Sequence, residues 1–236
     1  KAKGEVFIPR VISYNNQDYI ITKIKEGAFK GNRKLKLIKF SEDSEISTIE
    51  KEAFAASSLL TVTLPQKVVE VSKSVFNSCK SLKKLTIEDK SHTKSIGPYS
   101  ISFTPIESIT FSDNIEKVEE GWCSNTSKLN NVIISPNNKN FAYIDEDHKL
   151  IAGKSDLTQP DFDVLVFACR DIKKAVIPSN IKYIDSFAFH ECKELEEVKI
   201  NEDSKLVSIG KKAFFQSSLQ KILIPQFVDE IKECCF

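Results

Sequence analysis

One apolar pattern recurs along almost the whole chain, and it restricts the folds that the chain can adopt. It is complete over residues 184–200, where its apolar positions are Ile184, Ala188, Phe189, Cys192, Leu195, Val198 and Ile200. Copies with the same residue types begin at Ile24, Ile49, Val71, Ile96, Val118, Ile209 and Ile231. Such repeats are typical of solenoids, because each unit can bury its apolar side only against its neighbours.

The spacing between copies alternates between 25 and 22 residues, so long and short rungs follow one another. Each rung closes with alternating apolar residues, a pattern typical of a strand. The Ala-Phe segment upstream is too short for more than one or two helical turns. We therefore expect an α/β solenoid with a short strand on one side of each rung and a short helical or 3-10 turn on the other, convex side. The strands should pair in parallel as one continuous sheet.

The Ala-Phe positions have a predicted packing role. Phenylalanine supplies a large apolar body to fill the space between rungs, and the alanine before it allows the backbone to approach closely. Two rungs differ at this pair, because Ser100-Ile101 and Trp122-Cys123 replace it, and we interpret these as compensating changes of core shape. The remaining phenylalanines should form an internal ladder of Phe29, Phe54, Phe76, Phe189 and Phe214.

Length and repeat number favour a single solenoid domain over residues 1–236. Residues 1–23 are interpreted as a modified first rung, with a hairpin turn at residues 14–19. The repeat spacing is interrupted between Val118 and Ile184. We interpret residues 145–171 as an insertion that contains a hairpin and a further strand beginning at Val164. Residues 231–236 are interpreted as the start of one more repeat, at which this piece of a longer chain stops.

The repeat motif I-x-x-x-A-F-x-x-C-x-x-L-x-x-I-x-I, intact at residues 184–200 and with Val75 in the alanine place at residues 71–87, resembles the BspA-type leucine-rich repeat. That family occurs in surface proteins of anaerobic bacteria and of protozoan parasites such as trichomonads. The chain departs from the commoner leucine-rich repeat, since Lys90 stands in one rung where an asparagine would follow the strand. The resemblance implies a right-handed leucine-rich-repeat solenoid, a cell-surface or secreted location, and adhesion to host proteins or to other cells.

Strand residues between the buried apolar positions should face outward on the concave sheet. Ile133 and Val176 are predicted to be adjacent and exposed there, and contiguous exposed apolar groups are typical of interaction surfaces. The threonines in the same row have a plainer explanation in their β propensity. The predicted partner-binding row consists of Lys39, Thr63, Thr86, Thr110, Ile133, Val176, Lys199 and Leu223.

Charge is balanced overall but not locally. The formal net charge is +1, which argues against nucleic acid as a partner. Residues 1–40 nevertheless hold ten Lys or Arg against three acidic residues. This asymmetry is explained either by a solvated charged face or by a basic patch for anionic glycans or acidic partners. The patch would consist of Lys30, Arg33, Lys34 and Lys36.

Residues that could serve in catalysis or metal binding do not form a recognisable motif in the sequence. His92, His148 and His190 fall in different rungs, and His190 is predicted to face solvent. There is no glycine-rich phosphate loop and no nucleophile elbow. The acidic residues 145–147 lack the spacing and the glycine of a calcium loop, and we interpret them as a solvated turn. We therefore predict no catalytic residue, no metal site, no cofactor and no enzymatic activity.

The cysteines and one asparagine need separate interpretation. Cys79 and Cys192 occupy a small, apolar repeat position, where buried free thiols are expected. Disulfides remain the alternative, and an extracellular location would favour pairing of Cys169. Asn125 begins the sequon Asn-Thr-Ser and is a candidate glycosylation site, if the chain passes through a eukaryotic secretory pathway.

With the absence of catalytic motifs, the resemblance to BspA-type repeats implies a cell-surface adhesion or protein-binding module. It would recognise a macromolecule of a host or a neighbouring cell through the concave sheet or the basic N-terminal end. The partner would be a protein or a glycan, such as an extracellular-matrix or serum protein. One alternative is an intracellular leucine-rich-repeat scaffold, and a second is an enzyme that uses the insertion. The longest apolar run, residues 164–169, is too short to span a membrane.

Overall fold

The structure, a computed structural model, describes residues 4–236 as short strands joined by turns. The chain divides into two compact units. The first unit holds residues 4–126 and 132–138, and the second unit holds residues 127–131 and 139–236. Residues 1–3 of the predicted first rung lie outside the described part.

Strands account for all the regular secondary structure of the described residues. Those up to residue 134 are β1 (Gly4–Ile8), β2 (Val11–Tyr14), β3 (Gln17–Ile20), β4 (Lys23–Ile24), β5 (Leu35–Phe40), β6 (Thr48–Ile49), β7 (Thr61–Thr63), β8 (Glu70–Val71), β9 (Lys84–Thr86), β10 (Ser95–Ile96), β11 (Ser108–Phe111), β12 (Lys117–Val118) and β13 (Asn131–Ile134). Those that follow are β14 (Ala142–Tyr143), β15 (Leu150–Gly153), β16 (Val164–Ala168), β17 (Lys174–Ile177), β18 (Tyr183–Ile184), β19 (Glu197–Ile200), β20 (Ser208–Ile209) and β21 (Glu230–Ile231).

The strands that close the rungs pair in parallel, as the repeat pattern predicts. A six-stranded sheet has the order β1-β5-β7-β9-β11-β13, and β17 pairs with β19 in a separate two-stranded sheet. Within the larger sheet Val62 pairs with Leu85, and both are buried, whereas the flanking Thr61 and Thr63 are exposed. The predicted single continuous sheet is thus two sheets in the described residues, and the strands β14, β15 and β16 come between them in the chain.

A second set of ladders contains the leading residue of each rung, which the sequence pattern does not mark as a strand. These strands are mostly two residues long and pair in parallel as β4-β6 and as β8-β10-β12. Ile24 pairs with Ile49 in the first of them, and Ile96 pairs with Val71 and Val118 in the second. Rungs joined by these ladders are therefore hydrogen-bonded to their neighbours at the leading residues as well as at the closing strands.

The Ala-Phe segments form stacked turns, so the predicted helical or 3-10 turns are wrong. Residues 4–236 contain no helix. The amides of Ala53 and Ala55 close single turns onto carbonyl groups three residues earlier. The amide between them, that of Phe54, instead donates to the carbonyl of Val75 in the next rung, at 3.0 Å. A helix would need that amide for its own turn.

Positive φ angles explain why the turns cannot merge into a helix. Glu52 and Ala56 have φ angles of 56° and 55°, which a right-handed helix does not allow. Each such residue occupies the third position of a turn, where a type II turn requires a positive φ. The same pair of positions is left-handed in other rungs, at Gly27, Gly31, Ser74, Ser78, Gly121, Asn125, Lys212 and Gln216.

Phenylalanine rings stack along the turn side of each unit, as predicted. In the first unit Phe54 lies between Phe29 and Phe76, with ring centroids 5.2 and 5.5 Å apart and nearly parallel planes. In the second unit Phe189 stacks on Phe214 at 4.9 Å, and Phe214 stacks on Phe236 at 5.5 Å. The repeat places one ring per rung, and the rung spacing brings them into offset-stacking range.

The N-terminal hairpin is also present where the sequence predicts it. Strands β2 and β3 pair antiparallel, and the two-residue loop consists of Asn15 and Asn16, both with positive φ. Asparagine tolerates this conformation, which two-residue hairpin loops of type I′ require. Ile12 pairs with Tyr19, and both side chains are substantially exposed.

Strands within residues 145–171 form part of the second unit's core. β15 pairs antiparallel with β14 and with β16, and β16 pairs in parallel with β18. Leu165, Phe167 and Ala168 are fully buried. Most of the loop at residues 154–162 is exposed. The segment thus combines structural strands with one surface loop.

The carboxylate of Asp163 fixes this loop. Its side chain is 1% exposed and accepts hydrogen bonds from the amide and hydroxyl of Ser155, at 2.9 and 2.8 Å. The side-chain amide of Gln159 donates a third, at 2.7 Å, and Lys182 Nζ lies 3.4 Å away. Burial raises the pKa of Asp163, but the bonds from Ser155, Gln159 and Lys182 outweigh this effect and lower the pKa below 3.8.

We expect Asp163→Asn to release the loop, because an amide accepts fewer hydrogen bonds and cannot pair with Lys182. Limited proteolysis near neutral pH should cut within residues 154–162 earlier than in the native protein. The control is Asp161→Asn, since Asp161 is exposed.

The lowered pKa of Asp163 stabilises the fold at pH values above the unfolded-state pKa, and this contribution is lost as the pH falls through the folded pKa. The urea midpoints of the native and Asp163→Asn proteins should therefore converge below pH 3.8. First cleavage inside residues 184–224 would contradict this account.

Candidate functional site

Each strand of the six-stranded sheet turns side chains outward on both sides of its buried residue, and one outward side chain from each strand belongs to a single row across the sheet. We call this row the strand face, and it consists of Phe7, Lys39, Thr63, Thr86, Thr110 and Ile133. Phe7 pairs with Lys39, and Thr63 with Thr86, so neighbouring rungs place these side chains side by side. Phe7 and Ile133 are 59% and 46% exposed. The face is therefore a polar row with an exposed apolar side chain on its first and last strands.

Local strand geometry explains why these side chains point outward. Val62, Leu85, Ile109 and Val132 are buried, and side chains alternate between the two sides of a strand. An apolar core residue at each of these positions therefore turns its neighbours toward solvent. Lys39 on this face forms an ion pair with Glu5 at 2.7 Å, so its charge is partly compensated.

Predicted site residues also lie on the two-stranded sheet of the second unit. Val176 pairs with Lys199, and Val176 is 53% exposed. Beside them, Lys174 and Glu197 form an ion pair at 3.5 Å. Leu223 is 76% exposed but lies outside any strand. This surface combines two exposed aliphatic side chains with paired charges.

The predicted basic patch is divided by ion pairing. Lys30 pairs with Glu52 of the next rung, and the interaction lowers the pKa of the Glu52 carboxyl. Arg33, Lys34 and Lys36 are exposed, and no carboxylate of residues 4–236 lies within salt-bridge distance of them. The patch available to a ligand is thus Arg33, Lys34 and Lys36. Two lysines of the N-terminal basic excess fall within residues 1–3, outside the described part.

His190 is buried, so the prediction that it faces solvent is wrong. Its side chain is 2% exposed and packs between the rings of Phe187 and Phe215, at 5.4 and 5.8 Å. Phe187 and Glu191 on either side have positive φ, as the equivalent residues of other rungs do. Burial, together with the charges of Arg170 and nearby lysines, lowers the pKa of His190 to about 4. It is neutral at physiological pH and serves as a core residue.

The six cysteines carry free thiols, and five of them are buried. The Sγ of Cys79 donates to the carbonyl of Phe54 at 3.1 Å and contacts Ser57 Oγ at 3.3 Å. Burial raises the pKa of Cys79, and it raises the pKa of Cys169 and of Cys235 to about 11. A protonated, buried thiol is unreactive, which agrees with a packing role at these positions.

Asn125 has a structural reason to be asparagine. Its φ is 56°, at a turn position that is left-handed in other rungs too, and asparagine adopts this conformation more readily than most residues. The side chain is partly buried. Thr126 beside it is buried and donates its hydroxyl hydrogen to the carbonyl of Cys123, at 2.5 Å. Glycosylation of Asn125 stays a prediction.

Residues 4–236 have neither a cluster of metal-ligating side chains nor a membrane-spanning helix. No group of three or more His, Cys, Asp or Glu side chains is arranged to hold a metal ion in this part of the chain. None of its segments is a helix long and apolar enough to cross a membrane.

Parallel ladders with one rung per repeat and a stacked turn side define the class of leucine-rich-repeat solenoids. The pattern of the BspA type leucine rich repeat region matches six copies over residues 18–145 and 163–236. The chain belongs to this family. The two matched ranges leave out residues 146–162, which fall within the predicted insertion.

Solved structures of bacterial repeat proteins have the same fold. The pneumococcal vaccine antigen PcpA is 21% identical, with a TM-score of 0.80 over 96% of this chain and 61% of that chain. A leucine-rich repeat protein from Bacteroides ovatus is 23% identical, with a TM-score of 0.69 over 96% and 53%. A leucine rich cell surface protein from Faecalibacterium prausnitzii is 19% identical, with a TM-score of 0.67 over 98% and 78%.

The chain spans less than two thirds of the length of the first two of these proteins. At these identities the similarity establishes the fold alone. No curated protein sequence matches the chain.

Proposed function

We propose that the chain is a binding module of a cell-surface protein and that its exposed strand residues contact a protein partner. The observation that carries this proposal is the row of outward side chains on a preformed parallel sheet. A surface that is ordered before binding loses little conformational entropy when a partner docks. No catalytic role is assigned to any residue.

The cell-surface location is supported by the family and by the names of its structural relatives. Membership of the BspA-type family implies a surface protein, one related structure is a vaccine antigen, and another is a cell surface protein. We infer the same location for this chain. The partner would then be an extracellular macromolecule, such as a protein of the matrix or of serum, or a protein of a neighbouring cell.

Exposed aliphatic side chains are the sharpest test of this proposal. Ile133 of the first unit and Val176 of the second are exposed, whereas many other outward strand residues are polar or charged. A carboxylate placed where a partner covers the surface must lose its water without gaining an opposite charge, which costs binding free energy. Ile133→Asp and Val176→Asp, made separately and together, should each weaken binding to immobilised matrix and serum proteins by roughly tenfold or more. Surface plasmon resonance gives the dissociation constants.

Two controls separate binding from folding. Ile133→Thr and Val176→Thr keep a β-branched side chain and should preserve the thermal midpoint while still weakening binding. Leu157→Asp charges an exposed aliphatic residue in the loop at residues 154–162 and should leave binding unchanged. Normal binding by both Asp variants would refute the proposal. A fall in thermal midpoint would show that these side chains are packed rather than free.

A further inference from the structure

Two groups of basic side chains lie at the edge where the strands of the first unit begin. In the rung of β5 they surround the start of the strand, and in the rung of β9 Lys80 and Lys83 occupy the repeat positions of Arg33 and Lys36, with Lys84 following at the first residue of the strand. The short rung between them, residues 57–61, carries no charged side chain. We call this edge the basic edge, and it consists of Arg33, Lys34, Lys36, Lys80, Lys83 and Lys84.

Backbone hydrogen bonds set the distance between the two groups. The amide of Leu60 donates to the carbonyl of Lys36 at 3.0 Å, and the amide of Lys83 donates to the carbonyl of Leu60 at 2.9 Å. Lys36 and Lys83 therefore stand in one row with a single rung between them. Two strand spacings correspond to about 9–10 Å. The pairing of Thr61 with both Leu37 and Lys84 gives the same two-rung separation.

Few acidic groups of the described residues neutralise this edge. Lys83 has an ion pair with Glu107, at 3.8 Å between two exposed side chains. Lys80 lies over the ring of Phe103, at 5.3 Å from the centroid, which leaves its charge in place. Lys84 is exposed and has no carboxylate within salt-bridge distance in residues 4–236, and Arg33 and Lys34 share this property. The edge thus keeps most of its positive charge although the whole chain is nearly neutral.

We propose that the basic edge binds a linear anionic polysaccharide. Such polymers often carry an acidic group on every second sugar, and a disaccharide is close in length to two strand spacings. One anionic group would meet the β5 rung and the next the β9 rung. The uncharged rung between them offers the hydroxyls of Ser58 and Thr61 and the exposed side chain of Leu60 to the intervening sugar.

The spacing and side-chain types favour this ligand over other polyanions. An extended acidic peptide places side chains of one face about 7 Å apart, which does not match two rungs. Duplex nucleic acid carries about one charge per 1.7 Å and is bound by proteins with a strong basic excess. The edge also consists mainly of lysine, a hydrated point charge on a flexible stem, which can follow the acidic groups of a solvated polymer without a fixed geometry.

The experiment compares three triple variants of the full chain, two in the basic edge and one control. Arg33→Gln with Lys34→Gln and Lys36→Gln removes one group, and Lys80→Gln with Lys83→Gln and Lys84→Gln removes the other. The charge-matched control replaces exposed lysines of the second unit that have no ion pair in residues 4–236, namely Lys128, Lys139 and Lys205. The probes are heparin oligosaccharides of increasing length, hyaluronan and polyglutamate.

Each basic-edge triple should lower the affinity for hyaluronan, whose one carboxylate per disaccharide fits the two-rung spacing, and for the more highly charged heparin by roughly tenfold, and should reduce the salt dependence of binding because fewer counter-ions are released. The control triple should change affinity less than about twofold, since it removes the same number of charges and leaves every lysine and arginine of the basic edge in place. Native affinity should rise with oligosaccharide length once both groups are reached, and the second triple should remove that rise. Ile133→Asp should leave polysaccharide binding intact, so this inference and the protein-binding proposal fail independently.

Three outcomes would overturn the inference. Polyglutamate binding with equal affinity and equal loss in both triples would assign the edge to acidic polypeptides. An equal loss in the control triple would reduce the effect to net charge. Absence of binding to both heparin and hyaluronan by the native protein would remove the ligand class altogether. Thermal midpoints of all three sets should stay within about 1 °C of the native value, because exposed charges contribute little to stability.

Discussion

Phe189→Ala is expected to lower the free energy of unfolding by about 3–5 kcal/mol, as large truncations in a packed core do. The side chain is fully buried, and its ring stacks on that of Phe214 at 4.9 Å. Removal of the ring leaves a cavity between two rungs and ends the stacking at that point. Urea unfolding gives the free energy, and hydrogen exchange should show the rungs next to Phe189 opening first, because coupling in repeat proteins is between neighbours.

A matched control for this variant is Phe227→Ala, since the side chain of Phe227 is 63% exposed. It should change the free energy of unfolding by less than about 0.5 kcal/mol, as surface substitutions usually do. A similarly small effect of Phe189→Ala would show that the stacked rings contribute nothing to stability, and the packing described for the turn side would then be wrong.

Gly210→Ala is expected to destabilise the second unit by about 3 kcal/mol, the upper end for overpacking of a core. A Cβ at this position would lie 2.4 Å from the backbone nitrogen of Ser186 and 2.6 Å from the carbonyl carbon of Asp185. These are backbone atoms of the adjacent rung, so they cannot rotate away as a side chain can. Relief would require separating two rungs that hydrogen bonds hold together, such as the bond from the Gly210 amide to the carbonyl of Ile184 at 2.7 Å.

Gly31→Ala separates this steric effect from the conformational one. Gly31 has a φ of 65° but no atom within 4 Å of an added Cβ. Its replacement should cost only the left-handed penalty, about 1–2 kcal/mol. Thermal unfolding of both variants gives the comparison. Equal losses would mean that close approach of the rungs at Gly210 is not limiting.

Much of the fold could be read from the sequence because its signals are periodic. The spacing of the leading isoleucines predicts the rungs, and alternation around Val62 predicts which strand residues are buried. The phenylalanine ladder follows from one ring per repeat, and the Asn15-Asn16 pair predicts the N-terminal hairpin. Each inference depends on residues close together in the chain or on exact repetition.

The turn side could not be predicted in the same way. Glu52, Ser74 and Lys212 adopt positive φ, yet none of these residue types favours that conformation. Their backbone is held there by amides that donate to carbonyls of the next rung, for instance from Glu52 to Lys73. No local pattern in one sequence predicts hydrogen bonds between rungs. The burial of His190 was missed for the same reason, because the turn directs it inward against Phe187 and Phe215.

The candidate sites also combine features that the local sequence pattern predicts with features that depend on contacts between rungs. Exposure of the strand residues follows from alternation and was predictable. Cancellation of the Lys30 charge by Glu52, 22 residues away, was not. The proximity of the two basic groups was not predictable either. Only the pairing of β5, β7 and β9 places Lys80, Lys83 and Lys84 near the N-terminal basic residues.

The sequence by itself determined the repeat length, the residues that fill each rung and the strand residues that face outward, because these follow from the apolar period. Only the tertiary structure decided the conformation of the turns, the rungs' close contact at Gly210 and the charges that stay unpaired. Each of these depends on hydrogen bonds, contacts or ion pairs between residues of adjacent rungs, commonly 22 to 25 positions apart. Such interactions form only when the rungs are stacked.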